Sequence, residues 1–383
     1  MTHLAFTAHS NIGGSSTAAA YLANALVERD FEVSWVASAR HRYLSERVRH
    51  EPVFVGDALK LNLGATLQTA DALVNLGKHK PIDVVCAHFA VPFAVSAQIY
   101  RHITGVPFVV SFHGSDVHNE DIYRHYGAVT TAAAENAAAT TTISRYLAEE
   151  IRRKSDGALD PEVIPNFIPA SSFHPDEIDD EPRDRLLHVS NFTANKNVEL
   201  LARAFALLAE ERPGLRLTLA GDGETKERVR ELVRALGVGD RVEFIGVVEE
   251  SDELRRLVGA HDATIMASDM EGLPLSLLET LQCGRPILST NVGGVPEIVG
   301  ESYPFLFPPR DLDACAEALR RLYADPLGFA ERRREALKIS RRYSEEEVVG
   351  RYERVYRRAA ERGTRPTAEK METTDTLRRN ENA

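Results

Sequence analysis

Ala263-Thr-Ile-Met-Ala-Ser-Asp-Met-Glu271-Gly-Leu-Pro-Leu-Ser-Leu-Leu-Glu279-Thr-Leu-Gln-Cys283 passes from a short apolar run through a loop into a helix-period segment. The run Ala263–Ala267 has the length of a strand buried on both faces. Pro274 stands where a helix over Leu275–Cys283 would open, and Pro286–Ser289 reads as the next strand. Strand, loop, helix, strand at this spacing is the repeating unit of a parallel sheet. Upstream the unit recurs. Strands are predicted at Leu186–Val189, Arg216–Ala220 and Val242–Ile245, with helices at Val198–Ala209, Glu224–Leu236 and Ser251–Val258; a helix at Val295–Val299 follows.

The first half repeats the alternation. Leu4–Thr7, Phe31–Ala37, Val84–Ala87, Phe108–Phe112 and Thr140–Ile143 read as strands. A helix spans about Ser15–Glu28, and others start near Pro92, Ala128 and Arg145. The fold class is therefore α/β, two Rossmann-like doubly wound domains facing a central cleft, with ligands at the carboxyl ends of the strands. Expected boundaries are residues 1–168 for the first domain, completed by a C-terminal helix at 345–361, and 169–344 for the second. Pro169–Arg185 is read as the linker, and the polar, aperiodic stretch 364–383 as a disordered tail.

Length agrees with two domains, since 383 residues is twice a common domain size. Lys and Arg number 46 against 57 Asp and Glu, a formal charge of −11. That balance argues against nucleic acid and anionic membranes as partners. No run approaches the length of a membrane-spanning helix, and Met1–Thr7 lacks the pattern of a secretory signal. Cys86, Cys283 and Cys315 are far apart and odd in number, which fits a reduced, cytoplasmic protein without zinc spacing.

Glu271 and Glu279 place two carboxylates eight residues apart, across a helix start whose Gly272 and Leu273 N–H groups are open to an anion. Acceptors flanking such donors suit a ligand carrying both hydroxyls and phosphates, although a loop Glu followed by a surface-helix Glu has equal weight for the pair alone. In His188-Val-Ser-Asn191-Phe-Thr-Ala-Asn-Lys196, a strand end leads to a helix start where Lys196 can meet a diphosphate as a point charge; alone, Lys196 reads more simply as a solvated lysine. Gly221-Asp-Gly223 is a tight strand-to-helix turn, weak as a phosphate motif. Gly293-Gly-Val-Pro-Glu297 repeats the theme.

In the first half, His9-Ser-Asn11-Ile-Gly13-Gly14-Ser15 is a strand-end loop that lets backbone approach a ligand. It lacks the full dinucleotide spacing, which argues against a nicotinamide enzyme. Ser111-Phe-His113-Gly-Ser115-Asp116 and His88-Phe89-Ala-Val-Pro92 end two other strands. A lone His is most often structural, but Gly114 and Asp116 beside His113 tilt that one toward function.

Together these stretches resemble the GT-B glycosyltransferases of the retaining family-4 type, over about Met1–Ala360. The carriers are the Glu271/Glu279 element, the Gly221–Gly223 turn and Gly293–Glu297. Ile12–Ser15, His88–Pro92, His113–Asp116, Pro165–Ile168 and His188–Phe192 are similar to the N-acetylglucosaminyl-malate synthase subgroup of bacillithiol assembly.

The resemblance implies that Glu279 binds the ribose hydroxyls, that Glu271 with the N–H groups of Gly272 and Leu273 holds the donor sugar, and that Lys196 neutralises the diphosphate. It places His113 near the reacting carbon, making His113, Lys196 and Glu271 the catalytic candidates. Gly13 and Gly14 would lie against the diphosphate, Asn191 would join the donor site, and Phe244–Gly246 would border the base. Asn11, Ser15, His88, Phe89, Ser115 and Asp116 would form the acceptor side. No metal and no cofactor are implied, the nucleotide-sugar being a substrate. The partners are that donor and a small-molecule acceptor, with room for a homodimer.

Three positions depart from the family pattern. Asn191 stands where many relatives carry Arg, with Thr193 and Ala194 after it. Phe89 stands where the subgroup often has Tyr, and Glu271-Gly-Leu-Pro replaces the common Glu-Ser/Gly-Phe-Gly. The expected reaction is retaining transfer from a UDP- or GDP-sugar to a small polar acceptor such as malate. The alternatives are a specialised-metabolite acceptor, including a thiol giving an S-glycoside, then a nucleotide-sugar epimerase, then a non-catalytic binding module.

Overall fold

The computed structural model describes residues 1–9, 13–53, 63–175, 182–325 and 328–363. The chain divides into two compact units, Met1–Pro165 with Val348–Ala383, and Asn166–Glu347. The division thus falls three residues before the 168/169 boundary read from sequence. Pro169–Arg185 is not a bare linker either, because Phe173 within it is fully buried. The stretch 364–383, read as a tail, lies outside the described residues, as does Asn11.

The first unit holds strands β1 (Thr2–Thr7), β2 (Phe31–Ala37), β3 (Arg49–Pro52), β4 (Val84–His88), β5 (Phe108–Phe112), β6 (Ala139–Thr142) and β7 (Glu162–Val163). Its helices are α1 (Gly14–Val27), α2 (Leu63–His79), α3 (Ala90–Thr104), α4 (Ser115–His118), α5 (Glu120–Glu135) and α6 (Arg145–Lys154). The strands form one sheet in the order β3-β2-β1-β4-β5-β6-β7, every pair parallel. Such a sheet is covered on both faces, so its strands are apolar almost throughout; Leu4, Ala5, Phe6, Val33, Trp35, Val84, Val85 and Phe108 are all fully buried. The C-terminal helix Glu345–Arg362 adds Val349, Tyr352, Val355 and Tyr356 to this core.

The second unit holds β8 (Arg185–Val189), β9 (Arg216–Ala220), β10 (Val242–Gly246), β11 (Ala263–Met266), β12 (Ile287–Thr290) and β13 (Leu306–Phe307). Its helices are α7 (Val198–Glu211), α8 (Lys226–Ala235), α9 (Ser251–Gly259), α10 (Leu275–Gln282), α11 (Val295–Val299), α12 (Leu312–Ala324) and α13 (Phe329–Ser340). The sheet order is β10-β9-β8-β11-β12-β13, again parallel. Helix α7 buries Leu201, Ala202, Phe205, Leu208 and Ala209, the three-and-four spacing of an inward stripe.

Both sheets reverse direction of winding once, between β1 and β4 and between β8 and β11. Connections leave opposite faces there and open a crevice beyond the strand ends, where open α/β sheets take ligands. Gly13 and His88 follow one such point; Lys196 and Glu271 follow the other. Sequence reading left β3, β7, α2, β13, α12 and α13 unassigned and began the helix near Ala128 too late. That helix starts at Glu120, capped by Asn119, whose Oδ1 accepts from Asp121 N at 3.1 Å and Ile122 N at 3.0 Å.

Candidate active site

In the second unit the β8/β11 switch point brings two loops together. Lys196 closes a short 3-10 turn, Ala194–Lys196, after β8. Its Nζ lies 2.5 Å from Glu271 Oε1 in the loop after β11. Asn195 ties the same loops: its Nδ2 donates to Met270 O at 3.0 Å and its carbonyl accepts from Asp269 N at 2.8 Å. A lysine ammonium carries three donors, so Glu271 leaves it capacity for further oxygens.

His188 sits beneath these loops, fully buried. Its Nδ1 is 2.8 Å from Ile265 O and its Nε2 2.7 Å from Ser190 Oγ. A carbonyl only accepts, so Nδ1 carries the proton and Nε2 takes the Ser190 hydroxyl. Burial, with Lys196 adding to it, pushes the imidazole pKa down to about 4, which keeps the ring neutral. His188 therefore fastens β8 to β11 rather than acting as a charge.

Gly272 and Leu273 lead into α10, whose start at Pro274 has no side-chain cap. Among the described residues neither their N–H groups nor the Glu279 carboxylate has a hydrogen-bond partner. Asn166 Nδ2 holds Leu273 O at 2.9 Å, which fixes the peptide. Glu279 is 7% exposed, and burial pushes its carboxyl up to about 7. A group so placed is poised to accept hydrogen bonds from a ligand.

The glycine turn after β9 has a different explanation from phosphate binding. A Cβ on Gly221 would lie 1.8 Å from Ser190 O, and one on Gly223 2.6 Å from Phe192 O, both at positive φ. Those glycines let the loop after β8 pack against the turn, sealed by Phe192 N–H to Asp222 O at 2.9 Å. Asn191 is exposed in that loop; its carbonyl accepts from Thr193 N at 2.8 Å and lies 3.1 Å from Ser190 Oγ. Gly246 ends β10 at φ +77 with open space around it. Its carbonyl accepts from Gly221 N at 2.6 Å.

In the first unit, α1 opens at Gly14 with no side-chain cap. A Cβ on Gly13 or Gly14 would meet nothing within 4 Å. Ser15 follows, half-buried. The carboxyl ends of β4 and β5 carry His88 and His113, with His88 Nδ1 3.2 Å from His113 Nε2. His113 Nδ1 is buried without a hydrogen-bond partner among the described residues. Burial lowers the pKa of both, that of His113 to about 4, so the pair is neutral near pH 7.

Three acceptor-side expectations change. His88 is 1% exposed, and both its nitrogens are engaged within the protein, the second by Tyr356 Oη at 3.3 Å. It supports His113 from within the core. Asp116 is likewise buried, its carboxylate accepting from Ala90 N at 2.9 Å, Gly114 N at 2.8 Å and His113 N at 3.1 Å. Desolvation raises its pKa against the lowering effect of those three donors. Asp116 therefore shapes the His113 loop through three backbone N–H groups. Phe89 is buried at φ +81, its ring edge-on to His9 with centroids 4.6 Å apart, so it forms a wall. Ser115 remains exposed at the start of α4.

Tyr356, Asn195 and His9 did not emerge from the sequence as site residues. Only their packing identifies them, and the first comes from a helix 268 residues away from His88.

Comparisons with known proteins agree with this architecture. The model described as "Glycosyltransferase Family 4" matches residues 12–172, and "Glycosyl transferases group 1" matches residues 172–342. N-acetyl-alpha-D-glucosaminyl L-malate synthase of Bacillus anthracis is 25% identical over 371 residues, 92% of this chain and 96% of that protein. Among solved structures, sucrose-phosphate synthase from Thermosynechococcus elongatus superposes with a TM-score of 0.78 at 20% identity, covering 93% of this chain and 98% of its own. Anabaena HepE in complex with UDP-glucose gives 0.79 at 18% identity, covering 92% and 99%. The chain belongs to the GT-B glycosyltransferases, built from a family-4 domain followed by a group-1 domain.

Proposed function

We propose that the protein transfers a sugar from a nucleoside diphosphate to a small polar acceptor with retention of anomeric configuration. The second unit takes the donor. Lys196 meets the diphosphate, Glu271 and the Gly272 and Leu273 N–H groups meet sugar hydroxyls, and Glu279 accepts from the ribose. The observation that carries this reading is the unpartnered, buried Glu279 carboxylate within the same loop and helix as the Lys196–Glu271 pair. A sugar-nucleotide offers hydroxyls to the carboxylates and phosphate oxygens to the cation. The HepE complex with UDP-glucose and the malate synthase at 25% identity support a uridine donor and a hydroxy-acid class of acceptor.

In the transition state the anomeric bond to phosphate lengthens, positive charge builds on the sugar and negative charge on the leaving oxygen. Lys196 and main-chain N–H groups stabilise that leaving oxygen. By the family resemblance, the Gly13–Gly14 backbone, Ser15 and Ser115 of the first unit are the candidates for acceptor binding, and His113 is the candidate for sugar contact. Attack from the departing face lets the leaving phosphate take the acceptor proton, so no side-chain base is required. Incubation with UDP-sugars and a mixture of hydroxy acids, cyclitols and thiols, read by mass spectrometry and then by the anomeric proton coupling of the product, tests this. An inverted product refutes retention. Epimerised sugar formed from donor alone refutes transfer as the main activity.

A further inference from the structure

A line of polar groups runs through the first unit behind His113. Thr141 Oγ1 is 2.8 Å from Ser111 Oγ, and the Tyr356 hydroxyl interacts with both Ser111 and the Cys86 thiol. Tyr356 Oη is 3.3 Å from His88 Nε2, and His88 Nδ1 is 3.2 Å from His113 Nε2. The line ends at His113 Nδ1, which has no hydrogen-bond partner among the described residues. Tyr356, His88 and Ser111 are all buried, so the order of protons along the line is set from within. Each neutral imidazole has one N–H and one lone pair, and the choice made at one ring is passed to the next.

A phenol is a strong donor and a weak acceptor, whereas an unprotonated imidazole nitrogen is a good acceptor. The favoured arrangement has Tyr356 O–H donating to His88 Nε2 rather than to the Cys86 sulfur, the weaker acceptor. His88 must then hold its proton on Nδ1 and donate it to His113 Nε2, which leaves the His113 proton on Nδ1. We propose that Tyr356 is a positioning residue that fixes this tautomer, so that His113 offers its ligand an N–H donor rather than a lone pair. The group that His113 meets is then an oxygen that accepts, a sugar hydroxyl or phosphate oxygen. Only this last consequence rests on the glycosyltransferase reading of His113; the tautomer itself does not.

The test uses the full chain labelled with nitrogen-15 histidine. Two-bond proton–nitrogen correlation spectra distinguish the two neutral tautomers, and the His113 signals are identified by their loss in His113→Asn. The expected result is a protonated Nδ1 and an unprotonated Nε2 at His113 in the wild type. In Tyr356→Phe, which keeps the ring stacked on Tyr352, the proton redistributes between the nitrogens. There kcat falls about five- to tenfold, the worth of one hydrogen bond, while the donor KM stays within about twofold. A wild-type His113 protonated on Nε2, or an unchanged tautomer in Tyr356→Phe, overturns the proposal. Should that variant not fold, the wild-type spectrum and Ser111→Ala still decide it. Full turnover by His113→Asn would remove the sugar-contact reading and leave the tautomer assignment standing.

Discussion

Lys196 Nζ and Glu271 Oε1 lie 2.5 Å apart at the point where β8 and β11 part company. The carboxylate is 8% exposed, so its charge is held by one cation and little water. Lys196→Ala leaves that charge uncompensated and removes the only group of this loop that can meet a diphosphate as a cation. The expected outcome is a loss of kcat/KM of about 100-fold or more, as for removal of a preorganised transition-state donor. Lys196→Arg restores charge but not the compact ammonium and should recover only part. Steady-state kinetics with a UDP-sugar read both.

Glu279 gives a pH signature. Its carboxyl is raised to about 7 by burial, and ribose hydroxyls donate best to the ionised form. Nucleotide affinity should therefore rise with pH up to about 7 and level off above it, with a proton released on binding over the range where it rises. Calorimetry in buffers of different ionisation enthalpy measures the release, and Glu279→Gln should abolish it and weaken binding.

The same shift makes a stability statement. A carboxyl raised in the folded state binds its proton more readily there than in the unfolded chain. Its contribution is fully present below the unfolded value of 4.5 and is lost as pH rises through about 7. Glu279→Gln should thus be more stable than wild type at pH 8, by up to about 3 kcal/mol, and lose that advantage at pH 5. Denaturant titrations at the two pH values check the sign.

Asp116 is expected to matter through the backbone. Asp116→Ala strands three buried N–H groups, those of Ala90, His113 and Gly114, at a cost of about 2 kcal/mol or more. The melting temperature should fall by roughly 4–8 °C, and turnover should fall with the displaced His113 loop. An unchanged melting temperature would contradict the structural role.

Two sets of glycines should separate fold from ligand. Gly221→Ala drives a Cβ into Ser190 O at 1.8 Å and should lower the melting temperature sharply. Gly14→Ala enters open space at the first position of α1, where Ala is a better helix former. It should keep or raise the melting temperature. A raised donor KM in Gly14→Ala would then report the closeness of that backbone to the ligand.

The elements legible in the sequence are those whose cause is local. Ala263–Ala267, Phe108–Phe112 and Phe31–Ala37 carry unbroken apolar runs because a parallel sheet hides both their faces. Glu271 and Glu279 were visible because a loop and a helix start fix their spacing. By contrast β3 is Arg-His-Glu-Pro, an edge strand defined only by its pairing with Ser34–Ala37. Gly221 and Gly223 read from sequence as a tight strand-to-helix turn, and their freedom serves the packing of residues 190–192. Asp116 shares a stretch with His113 and His88 ends another strand, and nothing in their spacing tells that their polar atoms are satisfied from inside.

The helix Glu345–Arg362 has a consequence for the history of the molecule in the cell. It carries Tyr352, Val355 and Tyr356 into the interior of the unit that the N-terminal residues begin, and Arg351 reaches back to Val163 O. During synthesis the chain emerges from its beginning, so the first unit lacks part of its interior until the whole of the second has been made. The second unit, whose residues are contiguous, has everything it needs earlier. The half translated first is therefore the half that finishes last, and until then it must wait with an apolar seam uncovered.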